Sequence, residues 1–229
     1  MSNTFALIPA RGGSKGIKHK NITLLAGKPL LAYGVIAAQQ STMFDGIYVS
    51  SDDDTILAVA QSYGATAFKR DAALAQDHSP TNAMIEEFII LNQLKQNDVI
   101  VLLQPTSPLR TAQHICEAMA LYRQHLDCAA LKSVCVADSK YFYAFIGADP
   151  YLTPLLPEYM SIGRRQDLPS IYLPNGAIYI FSVEQFMLEK AIPKTKVVAY
   201  VMKEDDSIDI DTPDDLALAE FYFNQRVIK

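Results

Sequence analysis

Apolar runs of strand length alternate along the chain with stretches whose apolar positions recur at helical spacing. Phe5–Ile8, Gly46–Ser50 and Val99–Leu103 are continuous runs. Unbroken runs of this length suit parallel strands covered on both faces. Between them, Pro29 to Gln40 predicts a helix with Pro29 in its first turn. Asp53 to Tyr63 predicts a second, ending before Gly64. Pro80 to Leu94 predicts a third, with Ser79 as N-cap and Pro80 at the first helical position. Thr111 caps a fourth, Ala112 to Arg123. This β-α-β-α order implies an α/β fold with three layers, α/β/α, and a mostly parallel sheet.

After Ala129 the texture changes. Ser133–Val136, Tyr141–Ile146, Ile171–Leu173 and Ala177–Phe181 read as strands, and Asn175-Gly176 reads as a turn between the last two. Asp149–Pro169 is rich in proline, glycine and charge and reads as an excursion from the main sheet. The last unit is a strand Val197–Met202, an extended piece Ser207–Asp211, and a helix from Pro213 to about Asn224. Neither repeats nor low-complexity tracts interrupt the pattern, so 1–229 reads as a single domain.

Composition narrows the class. Half of the 229 residues are hydrophobic, enough for a sizeable core. A net charge of −5 disfavours a general nucleic-acid binder. Three cysteines, Cys116, Cys128 and Cys135, without CxxC spacing imply neither a disulfide framework nor a zinc site. The N-terminus lacks the basic start of a signal peptide, and no apolar run approaches the roughly 20 residues that span a bilayer. A cytoplasmic protein is expected.

Against the acidic balance, Arg11, Lys15, Lys18 and Lys20 place four cations within ten residues, directly after the first strand. Gly12, Gly13 and Gly16 among them let backbone N–H groups approach an anion. The loop matches neither GxxxxGK[ST] nor GxGxxG, which disfavours a Walker-type NTPase and a dehydrogenase. Its place at the end of the first strand is where open α/β sheets bind ligands. Far along the chain, Asp209 and Asp211 lie two residues apart. On an extended segment their carboxylates share a face and suit Mg²⁺; alternatively Asp211 or Thr212 caps the final helix. Asp52-Asp53-Asp54 reads either as a helix N-terminus or as the metal-dependent centre of a phosphatase using Asp52 or Asp54. Gln104 closes a buried strand, with an amide suited to sugar hydroxyls. The four histidines fall in no nucleophile motif such as GxSxG.

Five blocks resemble the acylneuraminate cytidylyltransferases (CMP-sialic acid synthetases), including the legionaminic and pseudaminic acid variants. They are Pro9-Ala10-Arg11-Gly12-Gly13-Ser14-Lys15-Gly16 with Lys20-Asn21, Leu103-Gln104-Pro105-Thr106-Ser107-Pro108-Leu109-Arg110, Arg165-Gln166-Asp167-Leu168-Pro169, Pro174-Asn175-Gly176-Ala177-Ile178-Tyr179-Ile180, and Asp206-Ser207-Ile208-Asp209-Ile210-Asp211-Thr212. They occur in family order over nearly the whole chain. The resemblance implies a nucleotidyltransferase (Rossmann-like) sheet with a small dimerisation arm at about 139–170. It implies that CTP and an acidic nine-carbon sugar give a CMP-sugar and pyrophosphate, with Mg²⁺. By resemblance, Arg11, Lys15 and Lys20 hold the triphosphate, with Gly12, Gly13 and Ser14 close by. Asn21, Arg70 and Thr81 lie near cytosine and ribose. Gln104, Arg165, Asn175 and Tyr179 meet the sugar, and Asp209 and Asp211 hold the metal. Arg11, Lys20 and Asp211 carry the catalysis. A homodimer with arm exchange at the active site is implied, and Arg164 competes with Arg165 for the sugar carboxylate. Lys18 departs from the family, where proline is common. The match loosens around Ser139-Lys140-Tyr141. A nucleotide-binding module without catalysis remains the third reading, opposed by the joint presence of Arg11 and the Asp209/Asp211 pair.

Overall fold

The computed structural model describes residues 2–14, 16–75, 81–125, 127–148, 150–156 and 168–227. The chain opens with β1 (Thr4–Pro9). The small hairpin β2 (Leu24–Leu25) and β3 (Lys28–Pro29) leads into α1 (Leu30–Ser41). Then follow β4 (Gly46–Ser51), α2 (Asp54–Ser62), β5 (Thr66–Lys69), α3 (Thr81–Leu91), β6 (Val99–Leu102), α4 (Ala112–Gln124) and β7 (Ala130–Val136). A second hairpin, β8 (Phe145–Ala148) with β9 (Tyr151–Pro154), precedes the long β10 (Tyr172–Ser182), α5 (Val183–Glu189), β11 (Val197–Val201) and α6 (Pro213–Val227).

Seven strands form the main sheet in the order β11-β7-β10-β6-β1-β4-β5, and all neighbours run parallel except β10, which is antiparallel to both β6 and β7. The three layers follow from side-chain alternation along β1. Ala6 and Ile8 face α1, α2 and α4 through Leu31, Val35, Ile56 and Ile115. Leu7 faces α3 and α5 through Met84, Ile85, Phe88 and Phe186. All three β1 residues are wholly buried, so the run has no polar face to alternate with. The chain leaves β1 outward to β4 and β5, then crosses back to β6 on its other side. A crevice therefore opens at the carboxyl ends of β1 and β6, the switch point of the sheet.

Several expectations are corrected. Pro29 precedes α1 as its N-cap in extended conformation, because it ladders with Leu24. Tyr141–Ile146 is not one strand: Asp138 accepts from the Lys140 N–H and opens a 3₁₀ turn over Ser139–Tyr143, and β8 begins only at Phe145. Ser207–Asp211 joins no strand ladder, although the Ile210 N–H donates to the Thr106 carbonyl at 2.8 Å. The Ser79/Pro80 cap lies outside the described residues. Thr111 does cap α4, in a reciprocal box with His114.

The largest correction concerns Asn175-Gly176. No turn separates two strands here; β10 runs through, with a register shift between Pro174 and Tyr179. A buried Asn175 explains the difference. Its Oδ1 accepts from Ser133 Oγ at 2.6 Å and the Ala177 N–H at 3.2 Å, and its Nδ2 donates to Ser207 Oγ at 2.9 Å. Its carbonyl accepts from Ser107 Oγ at 3.0 Å. Gly176 follows at φ +73, where a Cβ would stand 2.9 Å from Gln104 Oε1. The bulge therefore locks β7, the Ser207 segment and the turn after β6 together.

Removing that amide strands several buried polar groups, which costs about 2–3 kcal/mol. For a domain of this size that is a fall in Tm of roughly 5–10 °C. Thermal unfolding of Asn175→Ala measures it; an unchanged Tm would contradict the network.

Candidate active site

Past β1 the backbone makes one further ladder bond, from the Ala10 N–H to the Ser50 carbonyl at 2.8 Å, and then swings outward at Arg11. The Gly12 N–H donates to Asp52 Oδ1 at 2.9 Å. A Cβ on Gly12 would lie 3.0 Å from Asp53 Cβ, tighter than ordinary van der Waals contact, so glycine eases the close lean of the loop on the β4–α2 turn. Gly16 is under a stricter limit, because a Cβ there would meet the Asp211 carbonyl oxygen at 2.1 Å. The loop closes in a 3₁₀ turn over Lys20–Ile22, where buried Asn21 donates Nδ2 to the Arg11 carbonyl at 2.9 Å.

Lys20 joins this loop to the far end of the chain. Its Nζ donates to Asp211 Oδ1 at 2.8 Å and to the Ile210 carbonyl at 3.0 Å. The final helix leaves Asp211 available for this. Thr212 is its cap: Thr212 Oγ1 accepts from the Asp215 N–H at 3.3 Å, and Asp215 Oδ2 accepts from the Thr212 N–H at 2.8 Å.

At the switch point lies a cleft of about 310 Å³ lined by Arg11, Lys20, Asn21, Arg70, Thr81 and Gln104, with Pro9, Leu74, Met84, Pro105 and Thr106. Six residues expected from the sequence thus share one cavity. Gly12, Gly13 and Ser14 form the loop at its edge, and Asp209 and Asp211 approach it from the Lys20 side. Tyr179 lies close enough to Asp209 for that carboxylate to raise its phenol, after desolvation. Asn175 stands behind the wall, its amide committed to the protein. Lys15, Arg164 and Arg165 lie outside the described residues.

Two contributors carried no sequence signal of their own. Thr106 hydrogen-bonds the Asp209 carboxylate. Arg110 is 3% exposed and donates Nη1 to the Gln104 carbonyl at 3.3 Å and the Ala177 carbonyl at 2.8 Å. Burial pushes its guanidinium down to about 9, so it stays charged at neutral pH while it ties the Gln104 turn to the β10 bulge. The quoted block ending in Leu109-Arg110 contained this residue, but nothing in its spacing distinguishes a buried clamp from a surface arginine.

The electrostatics divide the cleft. Desolvation holds Arg70 below its ordinary value, Asp52 opposes that, and Arg11 adds to it. Protein crowding raises the Asp209 carboxyl although the residue keeps solvent contact; Thr106 opposes the rise and the Asp211 charge adds to it. The Asp52-Asp53-Asp54 cluster has structural tasks. Asp53 caps α2 by accepting from the Thr55 and Ile56 N–H groups, Asp54 pairs with Lys69 at 2.6 Å, and none of the three lines the cleft.

A divalent metal fits the donor chemistry in part. Among the described residues no group of three or more His, Cys, Asp or Glu side chains could hold one by itself. Asp209 and Asp211 offer two carboxylates whose mutual repulsion a cation would relieve. Mg²⁺ takes about six oxygens and is commonly held by one or two carboxylates plus phosphates and water. This pair suits an ion that arrives with a phosphorylated substrate.

The family model described as cytidylyltransferase matches residues 5–142. A CMP-N,N'-diacetyllegionaminic acid synthase from Legionella pneumophila is 35% identical over 94% of each chain. The chain belongs to the cytidylyltransferase family. An N-acylneuraminate cytidylyltransferase from Streptococcus agalactiae is 36% identical over 96% of this chain and 54% of that one. The chain spans about half the length of that relative. Among solved structures, the CMP:2-keto-3-deoxy-manno-octonic acid synthetase complexed with CTP superposes with a TM-score of 0.72 at 16% identity, covering 98% of this chain and 100% of that one. That likeness establishes a shared nucleotidyltransferase fold. No helix among the described residues is long and apolar enough to cross a membrane.

The raised Asp209 carboxyl makes a signed prediction. A folded-state value above the unfolded one means that ionised Asp209 costs stability at neutral pH. The cost vanishes once pH falls below the ordinary value of 3.8. Asp209→Asn therefore raises the Tm of the metal-free protein at pH 7, and the gain disappears near pH 3. A Tm difference independent of pH would contradict this.

Proposed function

We propose that this protein transfers the cytidylyl group of CTP to the anomeric hydroxyl of a nine-carbon 2-keto-3-deoxy sugar acid. N-acylneuraminate is the first candidate, and legionaminic or pseudaminic acid are alternatives within the same reaction. The observation that carries the reading is the Lys20–Asp211 contact at 2.8 Å, which sets the acidic pair against the cationic loop at the switch-point cleft. Relatives named for sialic and legionaminic acid activation support the substrate class.

The hydroxyl oxygen attacks the α-phosphorus in line, forming the new P–O bond as the bond to the bridging oxygen of the β-phosphate breaks. Pyrophosphate leaves, and the hydroxyl proton is released. Arg11, Lys15 and Lys20 neutralise the triphosphate and the charge that grows on the leaving group. Gly13 and Ser14 bring backbone and hydroxyl donors to the same oxygens, and Gly12, whose N–H is held by Asp52, lets the loop turn towards them. Asn21, Arg70 and Thr81 hold the nucleoside. Gln104 and Tyr179 face the sugar, and Arg165 pairs bidentately with its carboxylate. Asn175 serves the sugar side through the wall it builds. Asp209 and Asp211 would hold Mg²⁺, which when bound supplies further charge neutralisation on the phosphates.

The same reading includes a homodimer with arm exchange. The β8–β9 hairpin supports it, because Phe145, Tyr151 and Leu152 are 59%, 83% and 64% exposed, an apolar surface that a second copy would cover. The cytoplasm, where CTP is available, is the compartment implied.

Pyrophosphate release from CTP, Mg²⁺ and a panel of nine-carbon sugar acids tests the reaction. One acid is expected to support turnover, and Asp211→Ala and Lys20→Met are each expected to lower kcat by about 100-fold or more. No release with any acid overturns the proposal. Light scattering tests the assembly: the protein is expected at twice the mass of one chain, and Phe145→Asp with Tyr151→Asp at one. A wild-type protein at the mass of one chain rules the dimer out.

A further inference from the structure

The loop after β1 does not stand by itself; it rests on a carboxylate from the next strand over. Asp52 Oδ1 accepts the Gly12 N–H at 2.9 Å. The same oxygen lies 3.9 Å from Arg70 Nη2, close enough for charge attraction and too far for a hydrogen bond. Asp52 is fixed in turn: Lys69 Nζ donates to its carbonyl at 2.8 Å, and the Arg70 N–H donates to the Ser51 carbonyl at 3.1 Å. Arg70 is 6% exposed and lines the cleft, and its Nε and Nη2 have no hydrogen-bond partner among the described residues. Arg70 is thus a desolvated guanidinium in the cleft wall, and its charge depends on the groups around it. Asp52 supplies a negative charge that opposes both the desolvation of Arg70 and the neighbouring Arg11.

We propose that Asp52 is a positioning residue for nucleotide binding, holding the phosphate loop through the Gly12 N–H and balancing Arg70 so that both grip one CTP. This rests on the reading of the protein as a CTP-dependent enzyme. Asp52 touches no substrate and acts through Gly12 and Arg70. The assignment separates the three adjacent aspartates: Asp53 serves helix α2, Asp54 serves Lys69, and Asp52 serves the cleft. Oδ1 thus links the phosphate end of the cleft to its nucleoside end across strands β1, β4 and β5.

Charge alone argues for the opposite effect, which makes the test decisive. Deleting a carboxylate beside a site for a polyanion should tighten CTP if Asp52 only contributes field. Calorimetry of CTP with Mg²⁺, together with steady-state kinetics, is applied to the full chain. Asp52→Ala is expected to raise the Kd and KM for CTP about tenfold while kcat stays within about threefold. Asp52→Asn keeps an oxygen for the Gly12 N–H but loses the charge that balances Arg70, and its Kd is expected between those of wild type and Asp52→Ala, about threefold above wild type. Gly12→Ala, which pushes the loop off the same turn, is expected to reproduce the Asp52→Ala rise. Asp52→Ala binding CTP as tightly as wild type or tighter overturns the proposal, as does Asp52→Asn binding as weakly as Asp52→Ala. Should Asp52→Ala fail to fold, Gly12→Ala with a wild-type Kd overturns it. Wild type that binds CTP without turnover sinks the proposed reaction and leaves the Kd comparison to judge Asp52; wild type that binds no CTP overturns both.

Discussion

A lysine amine reaches across 191 positions of sequence to hold the site together. Lys20 Nζ meets Asp211 and the Ile210 carbonyl, and Gly16 packs so closely on Asp211 that no side chain fits between them. The Asp211 side chain is 73% exposed, so the pair contributes little to stability, on the order of 1 kcal/mol or less. Its value is geometric. It sets the carboxylates of a late segment beside the cations of the first loop, and a charge-neutralising phosphoryl-transfer site needs both.

The rest of the fold supplies rigid anchorage for that meeting. The switch point opens a crevice between β1 and β6, and each wall is tied down from behind. On one side Asp52 and Asn21 hold the loop backbone at Gly12 and Arg11. On the other, buried Arg110 and Asn175 bind the Gln104 turn to the bulge in β10. Asn21, Arg110 and Asn175 are polar and buried, and Asp52 is half-buried. Each makes hydrogen bonds to backbone carbonyls, N–H groups or hydroxyls, although Arg110 Nε and Nη2 have no partner among the described residues, and together they specify one arrangement.

Much of this was legible in the sequence, for physical reasons. The strands at Phe5, Gly46 and Val99 are covered on both faces, so their runs are unbroken and easy to read. The loop advertised itself because four cations and three glycines are conspicuous in an acidic chain. Arg11, Lys20, Asn21, Arg70, Thr81 and Gln104 then proved to line one cleft. The misreadings came where tertiary contacts override local signals. Asn-Gly normally marks a turn, yet here the Asn175 amide is absorbed by Ser133 and Ser207, residues 42 and 32 positions away, and the strand continues. β5 and α5 are four and seven residues long, too short for periodicity to declare them. Asp52 read as part of a helix N-terminus or, with Asp54, as a candidate phosphatase centre; a partner 40 residues earlier gives it a different task.

The reaction proposed for this cleft is attack at the α-phosphorus of CTP. The most direct test follows the fate of that phosphorus. With CTP labelled at the α-phosphate, Mg²⁺ and the preferred nine-carbon acid, the label should appear in a CMP-sugar, with one unlabelled pyrophosphate released per conjugate. Label recovered in free CMP or inorganic phosphate, with no sugar conjugate formed, would contradict the account.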